Sequence, residues 1–263
     1  MKKGKIYVVG TGPGKRQHMT TEAQKAIEES DVVVGYGIYV DLIRDMLTGK
    51  EVVTTGMTHE AKRCAAGIEL ASVGKVVSII SSGDPGVYAM AGLVLELMKN
   101  YSSEVEPLWG HDIRNRPDVK IIAGVPAHCS CASLLGAPLM HDFASISLSD
   151  RLTPWELIEK RLHNASDADF VIVMYNPKSK GRTHHIDKAR DIMLKYKTKD
   201  TPVGIVKAAM RDDETVTLTT LGEMLNHEID MQTTVIVGNS HTFCWENWMV
   251  TPRGYKLEPQ AVV

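Results

Sequence analysis

Short β-branched runs, most closing on a turn bearing glycine, proline or asparagine, constrain this chain more than any other feature. Residues 5–10, 31–35, 51–55, 75–80, 119–122, 170–174, 202–206, 215–219 and 233–237 read as strands. Most are separated by stretches with apolar residues at helical spacing. These are predicted as helices beginning near Thr21 and spanning 38–47, 59–72, 87–99, 129–135, 154–162 and 186–196. Such alternation marks an α/β fold with mostly parallel strands, because a parallel neighbour is reached only through a crossover of roughly a dozen residues or more. Thr21 is the expected cap of the first helix, with Gln24 as its capping-box partner, and Pro154 sits where a first helical turn tolerates proline.

A chain of 263 residues has room for one large domain or two ordinary ones. Residues 110–118 carry charges, a proline and little periodicity, so they read as a loop or the approach to a boundary. Two α/β domains, 1–120 and 121–263, are the economical division. With 43% hydrophobic and 24% charged residues the composition forms a core, which excludes a disordered or disulfide-stapled chain. Thirty basic against 32 acidic side chains leave a net charge of −2, and no global field favours nucleic acid or a membrane surface. Apolar runs fall far short of the ~20 residues that cross a bilayer. The basic start at residues 1–5 is followed by an apolar run broken at Gly10, too short for a signal core. The four cysteines form no Cys-x-x-Cys pair, so a reducing, cytoplasmic setting is expected.

The first turn, residues 10–14 (Gly-Thr-Gly-Pro-Gly), invites two nucleotide-binding readings, and both fail on spacing. A dinucleotide fingerprint needs a third glycine where Lys15 stands, and the second strand ends in Gly35 and Tyr36 rather than a carboxylate. A phosphate loop needs four residues between its glycines, followed by Lys and Ser or Thr. Gly10 and Gly14 enclose three, and Arg16 follows Lys15. The second turn, residues 81–88 (Ser-Ser-Gly-Asp-Pro-Gly-Val-Tyr), lies at the carboxyl end of a buried strand, where open α/β sheets bind ligands. Asp84 there either caps the following helix or holds a cationic or polyhydroxylated ligand. Similar turns stand at 124–127 (Gly-Val-Pro-Ala), 175–177 (Tyr-Asn-Pro) and 237–241 (Val-Gly-Asn-Ser-His). Four such turns on strand ends read as walls of a shared cleft, or as ordinary turn chemistry.

Other chemistry finds little support. His184, His185 and the His141–Asp142 pair match no zinc spacing, so no metal site is expected. Ser130 and Ser133 lack a nucleophile elbow. Cys129 and Cys131 face different directions on a helix and read as small core residues. Lys178, Lys180 and Arg182 form either a solvated loop or a grip for substrate carboxylates.

In their order and spacing, residues 10–14, 82–88, 124–127 and 233–238 (Thr-Thr-Val-Ile-Val-Gly) resemble the tetrapyrrole methylases across residues 4–250. The resemblance implies two α/β domains with S-adenosylmethionine folded into a cleft between them, and a homodimer. Residues 34–39, 173–178 and 238–243 are most similar to the branch that methylates C17 of a corrin precursor and contracts its ring. Carried over by motif, the cofactor would meet Pro13, Ser82, Gly83, Asp84, Val87, Ala127, Tyr175, Ala208 and Val235, mostly through backbone. Asp84, Tyr36, His128 and His241 are the candidates for acid–base work during ring contraction. Tyr36 and Tyr39 would pack on the flat macrocycle or fill core, while Lys178, Lys180 and Arg182 would meet its carboxylate arms.

Overall fold

The computed structural model describes residues 3–56, 58–100 and 116–256. The chain divides into two compact units, Met1–Ala127 and His128–Val263. The division expected at residue 120 would cut a strand that belongs to the first unit's sheet. Of the stretch 110–118, residues 110–115 lie outside the described residues and Asp118 already begins that strand.

The first unit is built on strands β1 (Lys5–Gly10), β2 (Val32–Tyr36), β3 (Glu51–Thr55), β4 (Val76–Ser81) and β5 (Asp118–Ile122). They pair in the order β3-β2-β4-β1-β5, all parallel. Helices α1 (Thr21–Glu29), α2 (Gly37–Asp41), α3 (Glu60–Ser72) and α4 (Ala91–Asn100) complete it. Tyr7, Val9 and Val33 pack with Ala23, Ala26 and Ile27 of α1. Their strand neighbours Ile6, Val8, Val32 and Val34 pack with Cys64 and Ile68 of α3 and Val94 of α4. Period-two alternation thus feeds two cores, which explains why the central strands read as unbroken apolar runs. A side chain such as Ile27, wholly buried, contributes about 1.5–3 kcal/mol by leaving water.

Several boundaries differ from expectation for local reasons. Thr20, not Thr21, caps α1: its backbone is extended and its Oγ1 accepts the Ala23 N–H at 3.1 Å. Gln24 donates instead to the carbonyls of Arg16 and Met19. The helix expected over 38–47 is cut to α2 and a separate 3-10 turn at Arg44–Met46, as suits the β-branched Ile38, Val40 and Ile43. Helix α4 begins at Ala91 instead of residue 87, because Tyr88 holds a left-handed φ of 52° that no helix admits.

The second unit contains α5 (Ala127–Leu135, opening on the last residue of the first unit), β6 (Gly136–Ala137), β7 (Phe143–Ser147), α6 (Trp155–Asp167), β8 (Val171–Tyr175), α7 (His185–Met193), β9 (Pro202–Lys207), β10 (Thr215–Thr220) and β11 (Thr233–Val237). It ends in β12 (Phe243–Trp245) and β13 (Trp248–Val250), which form a small sheet in the order β12-β13-β6. Pro154 precedes α6 as its N-cap rather than lying inside its first turn.

The main sheet, ordered β10-β9-β11-β8-β7, corrects the expectation of mostly parallel strands. Only β7 and β8 run parallel, while β11 opposes both β8 and β9, and β10 opposes β9. The segment joining β9 to β10 spans only residues 208–214, too short for a crossover. The one joining β10 to β11 holds just a 3-10 turn, Met224–Asn226. One face packs on α6 and α7, the other on α5, where Leu135 fills the space that Gly204 leaves by lacking a side chain.

Candidate active site

Strands β1 and β4 are neighbours, yet the helices that follow them, α1 and α4, cover opposite faces. Their carboxyl ends therefore form a switch point, where a parallel sheet opens for ligands. Two turns meet there. Gly12 and Gly83 exchange backbone hydrogen bonds: the Gly12 N–H donates to Gly83 O at 3.1 Å, and the Gly83 N–H to Gly12 O at 2.8 Å. The Thr11 N–H and hydroxyl both donate to Ser81 O, at 2.9 and 3.1 Å, and the Ser82 hydroxyl donates to Gly12 O at 3.4 Å.

The turn after β5 closes against them. A Cβ on Gly10 would stand 2.5 Å from Gly83 O and 2.7 Å from Gly124 N, and one on Gly124 would stand 2.6 Å from Gly10 O. Gly12 and Gly83 also hold left-handed φ values of 66° and 71°. Only bare main chain fits. Asp84 fastens the assembly: Oδ1 accepts the Gly86 N–H at 2.8 Å and Oδ2 the Gly124 N–H at 3.1 Å. It does not cap α4, whose first amide donates to Pro85 O.

Pro13, Ser82, Gly83, Asp84, Val87 and Ala127 thus all lie on these three turns of the first unit, with Pro13 buried and Val87 half-buried. A Cβ on Gly83 would come within 3.6 Å of Ala127 N and Pro126 Cα, so the missing side chain keeps the start of α5 approachable. Two buried polar atoms on this edge, Ser81 Oγ and His18 Nδ1, have no hydrogen-bond partner among the described residues. An edge of bare peptide with orphaned polar atoms beside it fits a cofactor held through backbone amides and carbonyls. Tyr36 and Tyr39 follow β2 on the same edge, edge to face at 5.3 Å between centroids. Both are half-buried.

In the second unit, Tyr175 ends β8 and grips the first turn of α5. The His128 N–H donates to Tyr175 Oη at 2.9 Å, and His128 Nδ1 lies 2.9 Å from the same oxygen. Asn176 follows at φ 50°, its amide donating to Ser147 Oγ at 3.0 Å. Ala208 follows β9, with φ 49° and its N–H donating to Gln232 O at 3.1 Å. Because β11 runs antiparallel, its beginning, not its end, shares this edge with Tyr175 and Ala208.

That direction corrects His241. The turn at 237–241 follows the end of β11, beside the starts of β8 and β9, on the opposite edge from Tyr175. Asp169 holds it there, accepting the Ser240 N–H at 3.0 Å and the Ser240 hydroxyl at 2.6 Å. Burial alone would raise the Asp169 pKa, but Ser240 and the Lys197 ammonium overcome it and keep the carboxyl below its ordinary value. The Val235 side chain is fully buried in the core between Met174 and Ile205, so any part it plays at a cofactor is through its main chain. Arg182 turns inward: it is 8% exposed and donates to Asn176 O at 3.0 Å and Ser149 Oγ at 3.2 Å. Burial depresses its pKa, with Asp150 opposing. Lys178 is half-buried and Lys180 exposed on the same loop.

The sequence reading missed Thr11 and Gly124 as parts of the switch-point cradle, although both stand in motifs it singled out. Among the described residues, no three His, Cys, Asp or Glu side chains converge to hold a metal.

The model of the Tetrapyrrole (Corrin/Porphyrin) Methylases matches residues 5–225. The chain is 53% identical over 254 residues to a cobalt-factor III methyltransferase of Priestia megaterium, covering 97% of this chain but 46%, about half, of that protein. It is 49% identical over 252 residues to a probable cobalt-factor III C(17)-methyltransferase of Salmonella typhimurium, covering 96% of this chain and 100% of that one. A precorrin-3B C(17)-methyltransferase of a Sinorhizobium species is 36% identical over 257 residues, covering 96% and 97%. Among solved structures, the methyltransferase CobJ superposes with a TM-score of 0.85 at 33% identity, covering 95% of this chain and 100% of that one. A uroporphyrin-III C-methyl transferase from Thermus thermophilus, complexed with S-adenosyl homocysteine, shares the fold at TM-score 0.65 and 20% identity, covering 89% and 92%.

Proposed function

Because the chain belongs to the tetrapyrrole methylase family, we propose that it methylates C17 of cobalt-factor III from S-adenosylmethionine, with contraction of the macrocycle, during corrin-ring assembly. The observation that carries this reading is the bare-peptide cradle at the β1–β4–β5 edge, where a Cβ on Gly10 or Gly124 would collide with backbone and Gly83 holds a left-handed φ. The cobalt-bearing macrocycle is preferred to metal-free precorrin-3B because identity to cobalt-factor III relatives is 53% and 49%, against 36%.

The cofactor supplies an electrophilic methyl group on sulfonium, so the protein needs no covalent nucleophile. Its work is to orient the partners and exclude water. In this reading the 10–14 and 82–87 turns, with Ala127, hold the cofactor through main-chain groups. Asp84 acts by bracing two of those turns, since each of its oxygens already accepts a backbone amide. Tyr36 and Tyr39 offer rings to the flat macrocycle. Ring contraction requires protons to move, and His128, whose Nδ1 stands against the Tyr175 hydroxyl, is the imidazole offered for that work. Lys178 and Lys180 remain as grips for carboxylate arms.

A homodimer rests on the aromatic rings of β12 and β13, where Phe243, Trp245 and Trp248 are 47%, 61% and 46% exposed. Sedimentation at the mass of a single chain would remove that part. A cytoplasmic setting suits the free cysteines. Among the described residues no helix is long and apolar enough to cross a membrane.

The deciding experiment incubates the protein with S-adenosylmethionine and cobalt-factor III without oxygen and follows mass and absorption spectra. The expected result is a gain of one methyl group with the spectral change of a contracted ring. Methylation of precorrin-3B alone would move the protein to the metal-free route, and methylation of neither would overturn the reading.

A further inference from the structure

Arg63, on α3, is 4% exposed, and its guanidinium has no carboxylate partner among the described residues. Nε donates to Thr55 Oγ1 at 2.9 Å, and one terminal nitrogen donates to Gly56 O at 3.0 Å. Among the described residues the other terminal nitrogen reaches only the thioether of Met90, at 3.8 Å. The guanidinium carbon lies 5.8 Å from the centroid of the Tyr36 ring. The nearest acid along its helix, Glu60, is engaged with the Thr58 N–H. Burying a full positive charge against neutral acceptors is expensive, because two ordinary hydrogen bonds and a weak sulfur contact do not replace its hydration.

The position gives that cost a use. Thr55 ends β3 and Tyr36 ends β2, so Arg63 sits at the carboxyl edge of the first sheet, the edge that carries the glycine cradle. Strand alternation places Ser81 with Val77 and Ile79, on the face covered by α3 and α4, and its buried hydroxyl also has no partner among the described residues. One face of one edge thus holds both a guanidinium awaiting an anion and an unanswered hydroxyl. Met90 is the movable element: an unbranched, flexible side chain whose sulfur is a poor acceptor.

We propose that Arg63 is a specificity residue that receives a carboxylate arm of the macrocyclic substrate, the carboxylate displacing the Met90 thioether while the Tyr36 ring lies alongside. The inference rests on the methyltransferase reading for the identity of the macrocycle and on the geometry alone for the anion. A fork-shaped guanidinium suits a carboxylate better than a point charge does, so lysine is a poor substitute here.

The test measures binding of uroporphyrin III, a macrocycle carrying a carboxylate on every arm, by fluorescence titration of wild type, Arg63→Gln and Arg63→Lys. Calorimetry with S-adenosylhomocysteine and thermal melting run alongside. Arg63→Gln is expected to weaken macrocycle binding about tenfold or more and to raise KM for cobalt-factor III in parallel. Its kcat and its affinity for S-adenosylhomocysteine should stay within about twofold, and Arg63→Lys should fall between. Unchanged macrocycle affinity in folded Arg63→Gln overturns the inference, as does an equal loss of both ligands, the mark of a structural role. If Arg63→Gln does not fold, Arg63→Lys decides: weaker macrocycle binding with intact S-adenosylhomocysteine binding supports it, and wild-type affinity overturns it. Wild type that binds the macrocycle through Arg63 but leaves cobalt-factor III unmethylated defeats only the activity reading. Wild type that binds no polycarboxylate macrocycle defeats the present inference.

Discussion

At the scale of single residues, absence of atoms does the most at the cradle. A methyl group on Gly124 would meet Gly83 O and Gly10 O, both backbone, which cannot rotate away. Gly124→Ala should therefore lose about 1–3 kcal/mol of stability and most S-adenosylhomocysteine affinity, measured by melting and calorimetry. Gly37→Ala is the control, since a Cβ there meets nothing within 4 Å and stability should stay within about 0.5 kcal/mol. The cysteines separate in the same local terms. Burial pushes the Cys64 thiol up to about 12 and Cys131 up to about 11, while Cys129 and Cys244 are exposed. A disulfide reagent at pH 8 should titrate Cys129 and Cys244 in the native protein and all four thiols after unfolding. Sequence placed both Cys129 and Cys131 in the core. Their two-residue spacing on α5 turns only Cys131 inward, as the helical period requires.

Among the elements, strand direction decides what shares an edge. The run Thr233–Val237 was readable residue for residue, yet nothing in its composition says which way it points in the sheet. Reading β11 as parallel put His241 with Tyr175, and its antiparallel course separates them. β7 went unread because Phe-Ala-Ser-Ile-Ser mixes small and polar residues, and β12 and β13 because each spans only three residues. The turn beyond β11 carries a pH signature. Asp169 has a depressed pKa in the folded protein, so its contribution is present above the ordinary carboxylate pKa. It is lost as pH falls through the lower folded value. The difference in melting temperature between wild type and Asp169→Asn should be greatest near neutrality and shrink through that acid window. A constant difference would show that charge at Asp169 is irrelevant to the clamp.

For the molecule as a whole, alternation of strand and helix was enough to read two α/β units, because each unit buries apolar runs on both faces of its sheet. The turns of the cradle were equally legible in their glycines and prolines, although composition left ordinary turn chemistry open beside a cleft. Arg63 was not: in sequence it is one more cation on an amphipathic helix, and only the fold reveals that it is buried without a carboxylate among the described residues. Ligand linkage tests the molecule entire. S-adenosylhomocysteine at a hundred times its Kd should add about 2.7 kcal/mol to the stability of the unit that binds it and raise its melting temperature by several degrees. NAD at the same concentration should leave the melt unmoved.

The glycine stack at the ends of β1, β4 and β5 also limits how this protein can be altered over generations. With amide set against carbonyl across three turns, no side chain can be added there to retune what is gripped, so heritable change in that region is almost closed. On the proposed reading, novelty in what the protein accepts comes instead from Tyr36, Tyr39 and Arg63, whose side chains stand apart from the contacts that hold the glycines together.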